Sequence, residues 1–438
     1  MDLLNQNIKS IYRKYLIPSL GSAMVMSIYT MADAIVIGKG VGADALAALS
    51  LTTPPIAILM STGILFGVGG SIHMNVHKGM DDMKEGRNFF TISTLGIGAV
   101  ILLLWLLYST NLPAILRLMG ANDTLYPYAH SYMKWITAFL PIVVLSNFLA
   151  IWIRNDGNPN LALAGVMGGG CLNILLDIVL VMNMGVGIQG AAIASISGMI
   201  LSGLIMSSHF FRKANNLRFV KPTKIMSHLA TITGSGISSF LNEFSNGLIV
   251  CLFNIQVLRY CGQTALAVYG VISNCVILFN SLFTGVGQAV QPIISYNYGA
   301  GQSTRIAETK RLGYFTIVTM GILFSAVGIL FPYAVSAVFL SLTPEIKDIT
   351  NVAIRLYFIA FLPAGYNLLS SYYLQSVLKT KESLLISTMR SVILSSILIL
   401  TLPLVFDSNI IWLCMPITEL IVFVISFYYV RKNKKLTV

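Results

Sequence analysis

Twelve apolar stretches divide the chain, at 15–37, 48–70, 89–110, 130–152, 161–182, 188–210, 229–256, 265–289, 310–333, 351–374, 384–405 and 409–430. Each is near the length that a bilayer's hydrocarbon core demands of a helix, and the seventh is long enough to tilt. The pattern predicts an all-α polytopic membrane protein with twelve transmembrane helices. Its longest polar connection, "RKANNLRFVKPTK" at 212–224, reads as a cytoplasmic linker between an N-terminal six-helix lobe, 1–211, and a C-terminal one, 225–438. The lobes echo each other: "GADALAALS" at 42–50 recurs as "GQTALAVYG" at 262–270, and "GVG" closes the following helix at 67–69 and at 285–287. An even number of helices per lobe gives both the same orientation, so the two are expected to be related by a pseudo-twofold axis along the membrane normal. Two like lobes with one seam suit alternating access, whereas a channel would gather its polar residues along one axial pore.

The basic residues set the orientation. With both termini in the cytoplasm, twenty-two Lys and Arg fall on the inside, among them Arg390 and the C-terminal Lys434 and Lys435, against six outside: Lys39, Arg117, Lys134, Arg259, Lys347 and Arg355. Such a bias favours both ends inside, in the cell inner (cytoplasmic) membrane. Of the 438 residues 56% are hydrophobic and only 10% charged, which excludes a soluble domain. The net charge of +12 needs no nucleic acid to explain it, because a basic cytoplasmic face against anionic membrane lipids suffices. The N-terminus lacks a basic start followed by a small-residue cleavage site, so the first helix is expected to remain as a span. The five cysteines show no spacing suggestive of zinc, iron or a disulfide framework.

Most of the sixteen acids sit in connections, but Asp33, Asp177, Glu243 and Glu419 fall inside apolar segments. A carboxylate there must find a partner, reach water, or take up a proton or cation. Asn173 and Asp177 lie four apart in "CLNILLDIVLVMNMG", one helical turn along one face. With Asp33 facing them, three oxygen-bearing side chains converge in one lobe, either as a site for sodium or a proton or as a hydrogen-bonded lock on helix packing. Glu243 sits among Asn242, Asn246, Ser238 and Ser239 on the seventh helix, a polar strip suited to a cavity that meets a cation or substrate, or to a structural hydrogen-bond network. Glu419 has fewer neighbours in view, and helix docking and function suit it equally. Tyr29, Tyr269 and Tyr366 are placed to line a cavity that accepts flat organic cations through cation–π contact. Pro18, Pro54, Pro55, Pro141 and Pro363 interrupt their helices and are expected to kink them.

Other chemistry finds little purchase. His73 and His77, four apart, read as packing or capping residues, since no third ligand accompanies them. There is no phosphate-binding loop, nucleophile elbow, zinc-protease motif or dinucleotide fingerprint. The chain is therefore expected to be no enzyme, to need no cofactor, and to draw its energy from an ion gradient.

"ADAIVIGKGVGADALAALSLTTPP", "NILLDIVLVMNMGVGIQGAAIAS" and "GVGQAVQPIISYNYGAG" together resemble the first and second, fifth and sixth, and eighth helices of the multidrug and toxic compound extrusion (MATE) family, bacterial branch. The resemblance runs in the correct order from about Tyr15 to Tyr429. It implies a monomeric antiporter of two six-helix lobes that exports small amphipathic organic cations in exchange for sodium or protons. It places the coupling cation on Asp33, Asn173 and Asp177 with the Ser195 hydroxyl, sodium being the metal there if sodium is the ion, and it places Glu243 on the seventh helix. One branch of sodium-coupled relatives carries a further acid on the tenth helix. Here "FLPAGYNLLSSYYLQ" offers Tyr366, Asn367 and serines instead, so Glu243 is expected chiefly to handle substrate. The alternative is a lipid or lipid-linked oligosaccharide flippase, for which a cavity matched to phosphate would be cationic. A scaffold or sensor has little reason to bury four acids, and the duplicated lobes disfavour a passive channel.

Overall fold

The computed structural model describes residues 3–433; Lys434 and Lys435, counted above among the inside charges, lie outside them. The chain is a multi-pass, all-helical membrane protein. Its helices are α1 (Ile8–Gly40), α2 (Ala43–Gly79), α3 (Met83–Leu118), α4 (Tyr126–Ala138), α5 (Leu140–Asn155), α6 (Pro159–Asp177) and α7 (Ile188–Ser207). They continue with α8 (Ile225–Gly299), α9 (Ser303–Leu330), α10 (Pro332–Ala337), α11 (Pro344–Phe358), α12 (Phe361–Ser376), α13 (Thr380–Thr388), α14 (Leu394–Val405) and α15 (Cys414–Lys432). Wide π-turns follow α6, at Ile178–Asn183, and join α13 to α14, at Met389–Ile393.

Among the described residues ten helical stretches are long and apolar enough to cross a membrane, or eleven when α4 and α5, which meet at 63°, form one bent span. That bend falls at Phe139, just before Pro141, whose ring cannot continue the hydrogen-bond ladder. By contrast Pro18, Pro54 and Pro55 are carried inside continuous helices. The 75 residues of α8 are interrupted at Gly262, where φ is 85° and ψ −179°. Gly42, which opens α2, adopts the related pair 123° and 179°. A side chain strains against positive φ, so glycine is the residue that allows a helix to restart there. These two glycines begin the repeated sequence motif.

The chain forms two compact units: one is Ile17–Phe240, the other Leu3–Leu16 together with the residues from Leu241 onward. Both α1 and α8 therefore pass from one unit to the other. Within the first unit, α2 packs on α3 and α5, and α6 packs along α7, over a core that includes Trp152, Leu59, Ile72 and Ile37. The polar connection 212–224 is fastened to this unit: Asn88 exchanges hydrogen bonds with Thr223 (2.9 and 3.1 Å), and the Val220 amide donates to Thr91 Oγ1 (3.0 Å). In the second unit α12 packs against α9 and α15. The 3–16 segment is held there by Arg305, whose guanidinium donates to the Leu3 and Gln6 carbonyls (2.9 and 2.8 Å), and by Tyr12, whose hydroxyl donates to Thr316 (2.8 Å).

One assignment from the charge pattern is corrected. Arg390, counted with the cytoplasmic residues, lies in the π-turn within the apolar stretch Thr380–Val405. There its Nε donates to Glu419 Oε1 of α15 at 2.6 Å. A long basic side chain close to a run of lysines reads as interfacial until its acid partner, far away in sequence, is brought beside it.

Candidate functional site

In the first unit α1 supplies Asp33, α6 supplies Asn173 and Asp177, and α7 supplies Ser195. These converge because α6 and α7 cross with their backbones touching. A Cβ built on Gly169 would stand 2.5 Å from the Gly198 carbonyl oxygen, and one on Gly198 2.5 Å from that of Gly169. Small residues permit such close approach between helices in a bilayer. The crossing brings Asn173 alongside Ser195, so that Asn173 Nδ2 donates to Ser195 Oγ (3.3 Å), which donates in turn to Asp33 Oδ2 (3.4 Å). Gly198→Val is expected to force these helices apart, at a cost of about 1–3 kcal/mol. It should lower the melting temperature and separate Asn173 from Ser195; a melting curve unchanged from wild type would contradict so tight a crossing.

Asp33 and Asp177 lie within electrostatic reach of each other. Asp33 Oδ1, Asn173 Oδ1 and both oxygens of Asp177 are buried and receive no hydrogen bond. Two facing carboxylates in a medium of low dielectric cannot both stay charged without a proton or a cation between them. The donor set of carboxylates, an amide oxygen and a hydroxyl is all hard oxygen, which fits sodium and gives no purchase to a soft transition metal. Among the described residues no group of three or more His, Cys, Asp and Glu is placed to hold a metal ion. Tyr132 of α4, which the sequence did not single out, also reaches this cluster, with its hydroxyl beside Ser195. No spacing in the sequence ties it to α1 or α6.

A cavity of about 60 Å³ adjoins the cluster, lined by Tyr29, Asn173, Ser195, Ser146, Gly169 and Gly198 among others. The structure thus brings Tyr29 into one cavity wall with Asn173 and Ser195 of the expected cation residues. The other expected cavity residues all belong to the second unit. Glu243 is half-buried, with no hydrogen-bond or ion-pair partner among the described residues, and Asn246 is exposed. Asn242 donates to Ser387 Oγ and accepts from Ser391 Oγ, each at 3.2 Å. Tyr366 stacks on Tyr314 (4.6 Å between ring centroids), and Tyr269 is buried against Phe253 (4.9 Å). Asn367 is buried, its Nδ2 donating to Glu419 Oε2 at 2.8 Å.

His73 and His228 are held by ring stacking and hydrogen bonds. His73 stacks on Phe89 (4.8 Å) and its Nε2 lies 2.8 Å from Ser235 Oγ, while His228 pairs with Glu85 at 2.7 Å.

A family model, MatE, matches the chain twice, over residues 18–179 and 239–401. Among curated proteins, the multidrug export protein MepA of Staphylococcus haemolyticus is 25% identical over 429 residues, covering 96% of this chain and 93% of that protein. MepA of Staphylococcus aureus is 27% identical over 330 residues, covering 74% of this chain and 69% of the relative. Two solved structures share the fold over 99% of this chain and 98% of theirs. One is an outward-facing multidrug resistance MATE family transporter of the MOP superfamily (TM-score 0.89, 20% identity). The other is a Pyrococcus furiosus MOP superfamily transporter, described as having a binding pocket of reverse polarity (TM-score 0.88, 21% identity).

Proposed function

This chain belongs to the MatE family and is a transporter rather than an enzyme; from that premise we propose that it is a secondary active multidrug exporter, antiporting amphipathic organic cations against sodium or protons by alternating access. The observation that carries this reading is the buried cluster of Asp33, Asn173, Asp177 and Ser195 beside a cavity, with four oxygens that receive no donor. A transporter coupled to a cation needs a buried anionic site that an ion or proton enters and leaves, and a purely structural network would satisfy its own oxygens.

Counting α4 with α5 as one bent span and α8 as two, on either side of Gly262, supports twelve spans in two six-helix lobes. The paired family matches and the like conformations of Gly42 and Gly262 support the relation between those lobes. The excess of basic residues on one side supports both termini in the cytoplasm of the cell. In this reading the protein works as a monomer, and the organic cation enters from the inside near Glu243, with Asn242, Asn246, Tyr269, Tyr366 and Asn367 on the substrate side. An external cation then settles on Asp33 and Asp177. Coupling requires the ion to prefer one conformation, since a ligand that binds both equally shifts nothing.

The test is efflux of a fluorescent organic cation from proteoliposomes, with a sodium gradient and a pH gradient imposed separately. Uphill efflux under one gradient is the expected result and names the ion. No efflux under either, from folded protein, together with movement of labelled lipid between leaflets, would replace this reading with the flippase.

A further inference from the structure

The second unit also contains a small cavity, and a basic side chain of the chain's own stands in its wall beside a buried acid. The two family-model matches are offset by 221 residues at their starts and 222 at their ends. On that spacing α6 and α7, which meet at Gly169 and Gly198, answer to the turn at Met389–Ile393 and to α15, which carry Arg390 and Glu419, and α5 answers to α12, which carries Asn367. In the first unit Gly169, Gly198 and Ser146 of α5 line the cavity of about 60 Å³. In the second unit Arg390 and Glu419 line a cavity of about 20 Å³, room for little more than one water. Where the first pair of helices touches through two glycines, the second is bridged by an ion pair. The lone carboxylate is buried, 1% exposed, and fully engaged: Oε1 accepts from Arg390 Nε (2.6 Å) and Oε2 from Asn367 Nδ2 (2.8 Å). The π-turn at Met389–Ile393 carries Arg390 to this position, and Ser391 in the same turn is tied to Asn242. A π-turn adds a residue to the helical circuit and is frequent at functional sites. Asn367 Oδ1 is buried without a donor, so the polar shell is not closed by packing alone.

We propose that the second unit holds a cation-binding site occupied by a cation of the chain's own, the Arg390 guanidinium, and that removing this side chain leaves a site for a free alkylguanidinium ion on Glu419. The tethered cation neutralises Glu419 in every conformation that keeps the pair. Glu419 therefore takes no exchangeable ion, and exchange is left to the first unit. That last consequence rests on the proposed role of Asp33 and Asp177, but the site itself does not.

The test is thermal unfolding of detergent-purified protein carrying Asp33→Asn and Asp177→Asn, so that the first unit's acids contribute nothing, with and without Arg390→Ala. Methylguanidinium chloride is titrated against choline chloride at matched ionic strength. Arg390→Ala is expected to lower the melting temperature by roughly 5 °C or more, because it strands a buried carboxylate. Millimolar methylguanidinium should recover most of that loss saturably, and leave the parent carrying Arg390 unmoved. Adding Glu419→Gln should recover the stability by itself and abolish the response. An Arg390→Ala protein that does not respond to methylguanidinium, or a response that survives Glu419→Gln, would overturn the proposal. If Arg390→Ala cannot be purified, recovery of the Arg390→Ala/Glu419→Gln protein supports an obligate pair, and failure of that protein too overturns it.

Discussion

Replacing Asp177 by Asn is expected to cut gradient-driven efflux by about 100-fold or more, equivalent to ~2.7 kcal/mol, while leaving the protein folded and in the membrane. The two halves of that expectation come from the same atoms. Neither Asp177 oxygen accepts from a neighbouring amide or hydroxyl, and its close neighbour is the Asp33 carboxyl, so the substitution keeps the shape of the side chain and removes one of two facing acids. What it does remove is the second acid that, in the proposed function, shares a cation or proton with Asp33 between α1 and α6. Asp33→Asn should match it in transport, with a somewhat larger effect on structure, because Asp33 Oδ2 accepts from Ser195. Binding of the organic cation, followed by fluorescence in detergent, should change little in either variant. Failure of Asp177→Asn to reach the membrane would show that the cluster serves packing instead.

The second large effect is on stability. Asp156, in the short turn between α5 and α6, has no exposed side-chain surface. Its Oδ2 accepts from His209 Nε2 (2.8 Å) and the Asn216 amide (2.9 Å); its Oδ1 accepts from Asn216 Nδ2 (2.8 Å), with Lys78 Nζ at 3.5 Å. One carboxylate thus joins the ends of α2, α5 and α7 to the connection that follows. Asp156→Ala would leave all of these donors facing a gap, at a cost of about 3–5 kcal/mol. The melting temperature should fall steeply, and protease should cut within 212–224, which wild type keeps fastened. Burial works against the Asp156 charge, but the His209 hydrogen bond, the Lys78 ammonium and the Asn216 donors outweigh it and hold its carboxyl below the usual carboxylate range. A depressed value in the folded protein means that the contribution is fully present above about pH 4 and is lost as pH falls through the lower folded value. Wild type should accordingly lose stability on acidification below that point, and Asp156→Ala should lose less; identical acid profiles would contradict the role given to this residue.

The contrast between Asp177 and Asp156 shows what a sequence discloses about such a protein. Asp177 was legible because a charge in an apolar run is costly, and because Asn173 stands one turn away on the same face. Asp156, in "RNDGNP", looks like any acid in a turn, and its burial depends on His209 and Asn216, more than fifty residues further on. Arg390 was misread for the same reason: its place inside an apolar stretch is made tolerable by Glu419, twenty-nine residues away, and by a π-turn that no local spacing announces. Tyr132 was missed because its link to Asp33 and Ser195 exists only once α4 packs beside α7. The break in α8, by contrast, was marked in the sequence, because Gly262 opens the motif that Gly42 opens in the first half. Periodicity and composition thus carry the spans and local faces, while ion pairs between distant helices appear only when the chain is folded.

The most direct measurement is the simultaneous recording of organic-cation efflux and of the opposing ion flux, by isotopic sodium uptake and by an internal pH dye, in the same proteoliposomes. The expected result is that one ion moves opposite to the organic cation in a fixed ratio and that Asp177→Asn abolishes both fluxes together. Organic-cation efflux with no opposing sodium or proton movement, or coupled fluxes that persist in Asp177→Asn, would contradict the assignment of the exchange to Asp33 and Asp177.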